Sequence, residues 1–476
     1  MLAESVLGTV SRGRACQCAE RENAGCSVIH GSVVHSGGVC QSVILLAACG
    51  ALFLALTSLS SVCFSQAYDL SGDWLGIEEI IAILSDDGTI EKSVMRAADL
   101  VTAIRRTRQL GIDLYQITIR LCYIDGIIDL SDLSEEYTPR DIDVRRWGLA
   151  DVVPVWLVHL CFEFEQTRMG GVAARELPHA LEDKSPYRPT VVITGRVYMR
   201  DCVLDSGLDL CDVLFANSLV IHSVVCNGLF FQGCQFVRTV SLSGIQCNGF
   251  VSFEESVFHE AGLLKLCRFQ GVSDFEAVRF EGMTMLEGCT FTLGANFDKV
   301  AFLDSLYFSA NMARAPISLS GASFHDSKQA ASMYHLAMLG CQESRYHDEA
   351  DHYYRLYMRA LRSQKSIVSR TLEWALVDLT TAYGTSWVRT LGSWALVISL
   401  GTLILWGGKG ICTAASDQPI RSFWLALYFC IVTFTTLGYG DYRPRFGYKV
   451  VATIIALIGA FMMALFVAVF ARNFMR

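Results

Sequence analysis

Two long apolar runs stand out toward the C-terminal end of the 476-residue chain. The first covers residues 387–406 and the second covers residues 448–470. Each reaches the ~20 residues needed to cross the hydrocarbon core of a bilayer at ~1.5 Å per residue. Tryptophan stands at both ends of the first run, as is typical at a membrane interface. The pattern predicts two transmembrane helices.

A third apolar run, at residues 43–62, lies in the N-terminal segment 1–67. The residues that precede this run show no clear pattern. The run fits a signal peptide with a small-residue cleavage site at residues 65–67. It also fits a membrane anchor, or a start codon assigned too far upstream. These three interpretations stay open at the level of the sequence.

Between the two C-terminal runs lies a shorter apolar segment, residues 423–434, followed directly by TTLGYGD at residues 435–441. The segment is too short to cross a bilayer and suits a helix that enters the membrane and returns. Irregular backbone at membrane depth is tolerated only where it lines a cavity or is buried in protein. The pattern therefore predicts a re-entrant helix that presents an irregular ribbon to a pore.

The ribbon has the chemistry expected of a site for an alkali cation. Gly438 and Gly440 permit backbone angles that other L-residues disfavour, so that successive carbonyl groups can face one axis. Carbonyl oxygens arranged in this way replace the hydration shell of an ion. Thr436 adds a hydroxyl oxygen, and Tyr439 is expected to point away from the axis and pack against the pore helices. Hard cations prefer oxygen ligands of this kind.

Residues 387–476 resemble the potassium channel family in its bacterial two-helix form. The resemblance rests on TFTTLGYGD at residues 433–441, which fits the family pattern TxxTxGYGD. It implies an all-α pore domain of a multi-pass protein in the plasma or inner membrane, in which four identical subunits conduct K⁺ passively. It implies no cofactor, and no metal apart from the transiting K⁺. The filter residues that it implies are Thr436, Leu437, Gly438, Tyr439, Gly440 and Asp441, with Thr433 and Thr435 in support.

Two positions near the filter need separate comment. Val432 stands where some members of the family carry a glutamate behind the filter, so filter inactivation is not predictable from this chain. Gly459, midway along the second span, matches the position of the family's inner-helix hinge. It is equally well explained as a small residue that lets two helices pack closely.

From about residue 201 the chain repeats every eleven residues, with alternating steps of five and six. One register contains Phe236, Cys247, Phe258, Phe269, Phe280, Phe291, Phe302, Ala313 and Phe324, and the other contains Phe231, Leu242, Phe253, Leu264, Phe275, Leu286, Phe297, Phe308 and Leu319. No helix has this period. This period is typical of short extended segments that are joined by corners, with a large residue pointing inward at the centre of each segment.

This repeat resembles the pentapeptide-repeat family in its phenylalanine-centred form. The resemblance implies a right-handed quadrilateral β-helix over residues 191–327, with two eleven-residue units in each four-sided coil. A first coil is expected already at residues 113–130, inside a cap or irregular region at 68–190. The scattered cysteines are expected to fill the solenoid interior, without a redox role.

Residues 328–386, between solenoid and pore, have helical patterning and form the expected connector. His347, Asp351 and His352 suggest a metal site there, but three polar residues on a solvated helix are more often surface. The connector is similar to that of channels that fuse pentapeptide repeats to a two-helix pore. The fold class is therefore mixed: a β-solenoid, a helical connector and an all-α transmembrane pore domain with a re-entrant helix.

Charge and cysteine content narrow the function classes. The formal net charge is −8, which gives no basis for expecting nucleic acid as a partner. The 18 cysteines lack the CxxC pairs of a zinc site. No Ser-His-Asp, phosphate-loop or metal cluster is found, so an enzyme is not expected.

The pore resemblance implies that both ends of the two-helix unit face the cytoplasm, which places the solenoid there too. A cleaved export signal at 43–62 would place the solenoid on the opposite side. The main hypothesis is a homotetrameric potassium channel whose solenoid serves assembly, gating or an unidentified protein partner. The alternative is a membrane-tethered pentapeptide-repeat scaffold with a weakly conducting or non-selective cation pore.

Overall fold

The computed structural model describes residues 74–140, 143, 147, 155–174, 191–413 and 418–474. The chain divides into two units, Met1–Asp69 and Leu70–Arg476, and all of these residues belong to the second. The N-terminal segment 1–67, with its apolar run at 43–62, lies outside the described residues.

The described part of the N-terminal region is built from short strands in three sheets, whose pairing is parallel apart from one antiparallel contact between the strands Glu135–Tyr137 and Val155–Val158. Sheet 1 contains β1 (Thr89–Glu91), β3 (Gln116–Arg120), β7 (Cys161–Glu165), β10 (Val197–Arg200), β13 (Leu219–His222), β17 (Val240–Ser243), β21 (Gly262–Lys265), β25 (Thr284–Glu287) and β29 (Leu306–Ser309). Sheet 3 contains β5 (Glu135–Tyr137), β6 (Val155–Val158), β9 (Val191–Ile193), β12 (Val213–Phe215), β16 (Gln235–Phe236), β20 (Val257–Phe258), β24 (Arg279–Phe280), β28 (Ala301–Phe302) and β32 (Ser323–Phe324).

Sheet 2 starts as one row of longer strands and then divides into two rows after β11. Its first row contains β2 (Val94–Arg96), β4 (Tyr123–Asp129), β8 (Arg168–Ala173) and β11 (Val203–Asp209). One later row contains β14 (Val225–Cys226), β18 (Gln246–Cys247), β22 (Arg268–Phe269), β26 (Thr290–Phe291) and β30 (Met312–Ala313). The other contains β15 (Leu229–Phe230), β19 (Val251–Ser252), β23 (Ser273–Asp274), β27 (Ala295–Asn296) and β31 (Ile317–Ser318). Later turns of the chain therefore carry four short strands each.

The register between turns explains where the sequence repeat is visible. Val240 pairs with Gly262, and Gly262 with Thr284, an offset of 22 residues. Earlier turns are longer and unequal, because Thr89 pairs with Thr118 at an offset of 29 and Gln116 with Cys161 at an offset of 45. Residues 89–173, where the sequence predicted a cap with one coil, therefore contribute strands to all three sheets without showing an eleven-residue period.

Phenylalanine rings stack from turn to turn in the solenoid interior. In sheet 3 the rings of Phe236 and Phe258 lie 4.6 Å apart between centroids, and those of Phe258 and Phe280 lie 4.7 Å apart. A second column follows the divided sheet, where Phe275 and Phe297 stack at 4.7 Å. These rings are fully buried. The interior is filled by large side chains repeated at the strand spacing of ~4.8 Å.

The corners of the coil use left-handed backbone at matching positions in successive turns. Glu255, Ala277 and Lys299 have φ of 58°, 56° and 57°, and each precedes a small buried residue of the interior. Only Gly and, less often, Asn or Asp adopt this region readily, so these corners are held by their surroundings. The repeat in the sequence did not reveal these positions, because the residue type varies among them.

We expect Phe258→Ala to lower the free energy of unfolding of the solenoid by about 3–5 kcal/mol, because it removes a fully buried ring from the stack and leaves a cavity. Phe250→Ala serves as the matched control, since Phe250 is exposed and, within the part of the chain that the structure describes, its ring stacks on Phe230 alone, at 6.0 Å. Denaturant unfolding of the full chain, followed by loss of β-sheet circular dichroism, measures both. Equal effects of the two substitutions would contradict the stacked-core account.

Helices flank the solenoid and form the C-terminal region. Their bounds are α1 (Ile77–Asp86), α2 (Ala97–Gln109), α3 (Ser327–Glu343), α4 (His347–Ser363), α5 (Ile367–Glu373), α6 (Leu379–Thr381), α7 (Trp387–Gly407), α8 (Phe423–Phe434) and α9 (Lys449–Phe474). A π-helix, Trp374–Asp378, joins α5 to α6, and 3₁₀ turns lie at Leu130–Leu133 and Phe446–Tyr448. A two-stranded antiparallel sheet pairs β33 (Ile411–Thr413) with β34 (Tyr442–Pro444).

Helix α3 closes the last turn of the solenoid. The Asp326 side chain caps its N-terminus by accepting hydrogen bonds from the backbone N–H groups of Lys328 and Gln329. Tyr334 on α3 packs edge-on against Phe324, which extends the phenylalanine column by one ring. Helix α4 packs along α3, so the connector is attached directly to the solenoid end.

Two of the described helices are long and apolar enough to cross a membrane, Trp387–Gly407 and the stretch Phe446–Arg472. The prediction of a parallel-stranded N-terminal region followed by a helical region with two apolar helices is therefore confirmed.

Candidate ion pore

The short helix α8 lies in the cleft between the two long helices. It contacts both α7 and α9, and its residues Ala426, Cys430 and Phe434 are buried in a common apolar core with both partners. Trp394 of α7 packs on Phe434 with ring centroids 5.6 Å apart. The apolar composition of α8, which exceeds what a surface helix needs, is explained by this position.

Two glycines permit the close approach of these helices. A Cβ placed on Gly401 of α7 would lie 2.7 Å from the Cys430 sulfur. A Cβ placed on Gly459 of α9 would overlap the carbonyl oxygen of Phe434, and would lie 2.7 Å from its carbonyl carbon. Gly459 therefore touches the backbone at the end of α8, where the ribbon begins. This contact supports the packing interpretation of Gly459.

The ribbon after α8 has an alternating backbone. Thr436, Gly438 and Gly440 have φ of 58°, 54° and 80°, whereas Leu437 and Tyr439 between them are not in the left-handed region. Backbone angles of this kind let successive peptide groups face one side of the chain. The ribbon is attached at its start, where the Leu437 N–H donates to the Val432 carbonyl at 3.0 Å.

The side chains of the predicted filter are exposed in the single chain. Leu437 is 61% exposed and Tyr439 is 68% exposed, although each is large and lies beside the apolar helices. Of the two predicted supporting residues, Thr435 donates its hydroxyl back to the Ile431 carbonyl at 2.9 Å, inside α8. The Thr433 carbonyl accepts a hydrogen bond from the Thr436 N–H at 3.2 Å. The fold thus brings the predicted filter residues together on one short segment at the end of α8.

The far end of the ribbon is attached to α8 by a contact that sequence reasoning missed. The Tyr442 N–H donates a hydrogen bond to the Asp441 carboxylate at 3.1 Å. The rings of Tyr428 on α8 and Tyr442 meet edge-on, with centroids 5.9 Å apart. Val432, at the position considered for a buried acid, is itself buried among apolar groups. Tyr428, one turn earlier in the helix, therefore packs against the residue that follows Asp441.

The opposite end of α9 contacts the connector. Arg472 donates to the Asp351 carboxylate at 2.9 Å and lies over the ring of Tyr354 at 5.2 Å. Its guanidinium also reaches the backbone carbonyls of Tyr383 and Gly384, both at 3.4 Å. Asp351, considered from sequence as one of three metal ligands, is thus engaged by an arginine 121 residues away in the chain.

A second ionic cluster ties the end of α4 to the segment that leads into α7. Asp378 is buried and accepts a two-pronged hydrogen bond from Arg359, at 3.0 and 3.1 Å, and a further one from Arg362 at 2.7 Å. Burial alone would raise the pKa of Asp378, but the two guanidinium groups outweigh it and hold that pKa below its ordinary value. The carboxylate stays ionised, and the stability it contributes is lost only as acid protonates it.

Comparison with known proteins agrees with this geometry. Residues 394–476 match the model of a family described as ion channel, and this range covers most of α7 together with α8, the ribbon and α9. No curated protein and no solved structure matches the chain. Residues 394–476 therefore form an ion-channel domain, and the chain that carries it is a membrane protein with a β-rich N-terminal region.

Proposed function

We propose that the protein is a potassium-selective channel that conducts passively as a homotetramer. The observation that carries the proposal is the alternating backbone of residues 436–440 at the end of a short helix held between two long apolar helices. A ribbon of aligned peptide groups offers several carbonyl oxygens in succession, which suits a hard monovalent cation stripped of water. Channel function points to transport and not to catalysis.

The exposure of Leu437 and Tyr439 supports an assembly of several subunits. Both side chains are large and exposed in the single chain. Burying them in a contact with another subunit would be favourable by roughly 25 cal/mol per Å² of apolar surface removed from water. One chain supplies one ribbon, so a closed pathway needs further copies around an axis, and closed rotational symmetry is the usual form of homo-oligomers. The potassium channel resemblance sets the number at four.

The solenoid and connector are proposed to assemble or gate the pore from the cytoplasmic side. Arg472 at the end of α9 and Gly384 just before α7 are in contact, so both helix ends lie on the connector side. The Asp441 end of the ribbon lies at the opposite ends of α7 and α9, because strand β34, which follows Asp441, pairs with strand β33, which follows α7. A displacement of the solenoid end would reach α9 through α3, α4 and the Asp351–Arg472 pair.

The stoichiometry is tested by native mass measurement of the full chain in detergent. The proposal expects a species of four times the 52.6 kDa chain mass, together with K⁺ flux into proteoliposomes. A monomer or dimer as the largest species would contradict it. A tetramer that passes no ion, yet captures a soluble partner through the solenoid, would favour the membrane-tethered scaffold instead.

If the connector is coupled to the pore, substitutions at Asp351 and Arg472 should have non-additive effects on the open probability of the channel. Asp351→Asn and Arg472→Gln should each change the open probability in the same direction, and the double variant should change it no further. A coupling of about 1.5–3 kcal/mol is expected for a hydrogen bond between charged groups. Single-channel recording in planar bilayers measures it.

Asp348→Asn is the matched control for this pair, because Asp348 lies on the same helix, in its exposed first turn. It should leave the open probability unchanged. Additive effects of the two test variants would show that Asp351 and Arg472 do not act on the gate through each other.

A further inference from the structure

The end of the pore domain that holds Asp441 carries an excess of positive charge. Residues 408–449 contain five basic and two acidic residues, which leaves three net positive charges per chain. We call the five basic residues the collar; they are Lys409, Arg421, Arg443, Arg445 and Lys449. All five are exposed, and Asp441 is the one acidic side chain among the residues that the structure describes in this range.

The fold gathers the collar from separate segments of the chain. Strand β33 comes shortly after α7 and pairs with β34, which contains Arg443. The Arg445 N–H donates a hydrogen bond to the Gly410 carbonyl at 2.8 Å, next to Lys409. Arg421 precedes α8, and its carbonyl accepts a hydrogen bond at 3.0 Å from a tryptophan indole N–H at the end of α7. The collar therefore lies at one end of the three pore helices.

Part of the collar lies close to the end of the ribbon. Arg443 and Arg445 follow Asp441 by two and four residues. Because an extended chain spans at most ~3.6 Å per residue, their Cα atoms lie within ~7 Å and ~14 Å of that of Asp441. The Debye length is ~30 Å at 0.01 M salt and ~3 Å at 1 M. These charges therefore act on an ion at the end of the ribbon in dilute salt and are screened in concentrated salt.

The connector end of the helices carries exposed charges of both signs. Asp348 and Glu349 in the first turn of α4 lie beside Arg345, and all three are exposed. Arg472 is paired with Asp351 at 2.9 Å. The two ends of the pore domain thus differ in electrostatic potential, and a difference of this kind changes the local concentration of an approaching ion.

We propose that the collar makes conduction asymmetric, so that K⁺ leaves through the Asp441 end more readily than it enters there. A positive potential lowers the concentration of K⁺ at that entrance and repels a cation that has already passed along the ribbon. Four chains with three net charges each would place twelve positive charges around one axis. The inference rests on the proposed cation conduction and does not depend on a preference for K⁺ over Na⁺.

The current–voltage relation of single channels in symmetric KCl tests the inference on the full-length protein. At about 0.01 M KCl, the current of K⁺ that enters at the Asp441 end should be at least about twofold smaller than the opposite current. At about 1 M KCl the two currents should become similar, because the collar is then screened.

Arg445→Cys identifies the Asp441 side and separates charge from shape. The substitution should reduce the asymmetry at low salt. A membrane-impermeant thiosulfonate reagent with a positive charge should restore the asymmetry, and one with a negative charge should reduce it further. Each reagent should act from one chamber alone, which marks the side of position 445. The unmodified protein with the same reagents is the control, since Cys412 at this end is buried.

Two results would overturn the inference. Equal currents in both directions at low salt would show that the collar does not affect conduction. Equal effects of the two reagents would show that the size of the group at position 445, and not its charge, sets the current. A protein that carries no current would contradict the proposed function and this inference with it, whereas a symmetric current would contradict this inference alone.

Discussion

Gly438→Ala is expected to abolish K⁺ flux while leaving the tetramer assembled. Gly438 has a φ of 54°, and a left-handed L-residue costs about 1–2 kcal/mol in each subunit. Thr436 tolerates the same region two residues earlier, so the substitution should not unfold the chain. Its effect is expected on the angle of the neighbouring carbonyl groups, which must converge on one ion from every subunit at once. Rubidium uptake into proteoliposomes measures the loss of flux, and native mass measurement shows whether the tetramer is still assembled.

Gly447→Ala is the matched control. Gly447 lies in the 3₁₀ turn beyond the ribbon, has no positive φ, and a Cβ there would meet nothing within 4 Å. It should retain uptake close to that of the unmodified protein. Unchanged flux through Gly438→Ala would show that residues 436–440 do not line the pathway.

Gly459→Ala is expected to destabilise the pore domain. The added Cβ would collide with backbone atoms of Phe434, which cannot move aside as a flexible side chain can, and overpacking of this kind costs about 1–3 kcal/mol. The thermal midpoint of the assembled protein should fall, and flux should fall with it as the end of α8 and the ribbon shift. Thermal unfolding of the tetramer, followed by native mass against temperature, checks this.

The same substitution separates the two interpretations of Gly459. If this glycine served only as a hinge, alanine would favour the helix by about 1 kcal/mol and raise the thermal midpoint while lowering the open probability. Gly407→Ala is the control, since a Cβ at Gly407 would meet nothing within 4 Å in the chain. A raised midpoint for Gly459→Ala would contradict the packing account.

The pore domain could be predicted in some detail because a bilayer constrains its sequence strongly. A span must be long and apolar, a short apolar run between two spans must return, and irregular backbone must line a cavity. Each constraint leaves a local pattern, at residues 387–406, 423–434 and 448–470. The structure places helices at these positions, and the family match covers most of them.

The solenoid could be predicted only where its turns have equal length. From β13 onward the turns take 21 or 22 residues, so inward-facing positions recur and the ladder of phenylalanines is visible. In the earlier turns the loops differ in length, and the inward positions lose their period. Residues 89–173 build strands of the same sheets without a signal that a repeat search could detect.

Contacts between distant residues could not be predicted from one sequence. Asp351 and Arg472 belong to helices of different regions, and nothing local to either residue shows the other as its partner. The ring contact between Tyr428 and Tyr442 depends on how the chain after the ribbon folds back along α8.

The most direct test of the central claim is the reversal potential of the purified full-length protein in a planar bilayer with K⁺ on one side and Na⁺ on the other. The account predicts a preference for K⁺ of more than about tenfold, which corresponds to a difference of about 1.4 kcal/mol between the two ions. A reversal potential near zero, with equal passage of K⁺ and Na⁺, would contradict it.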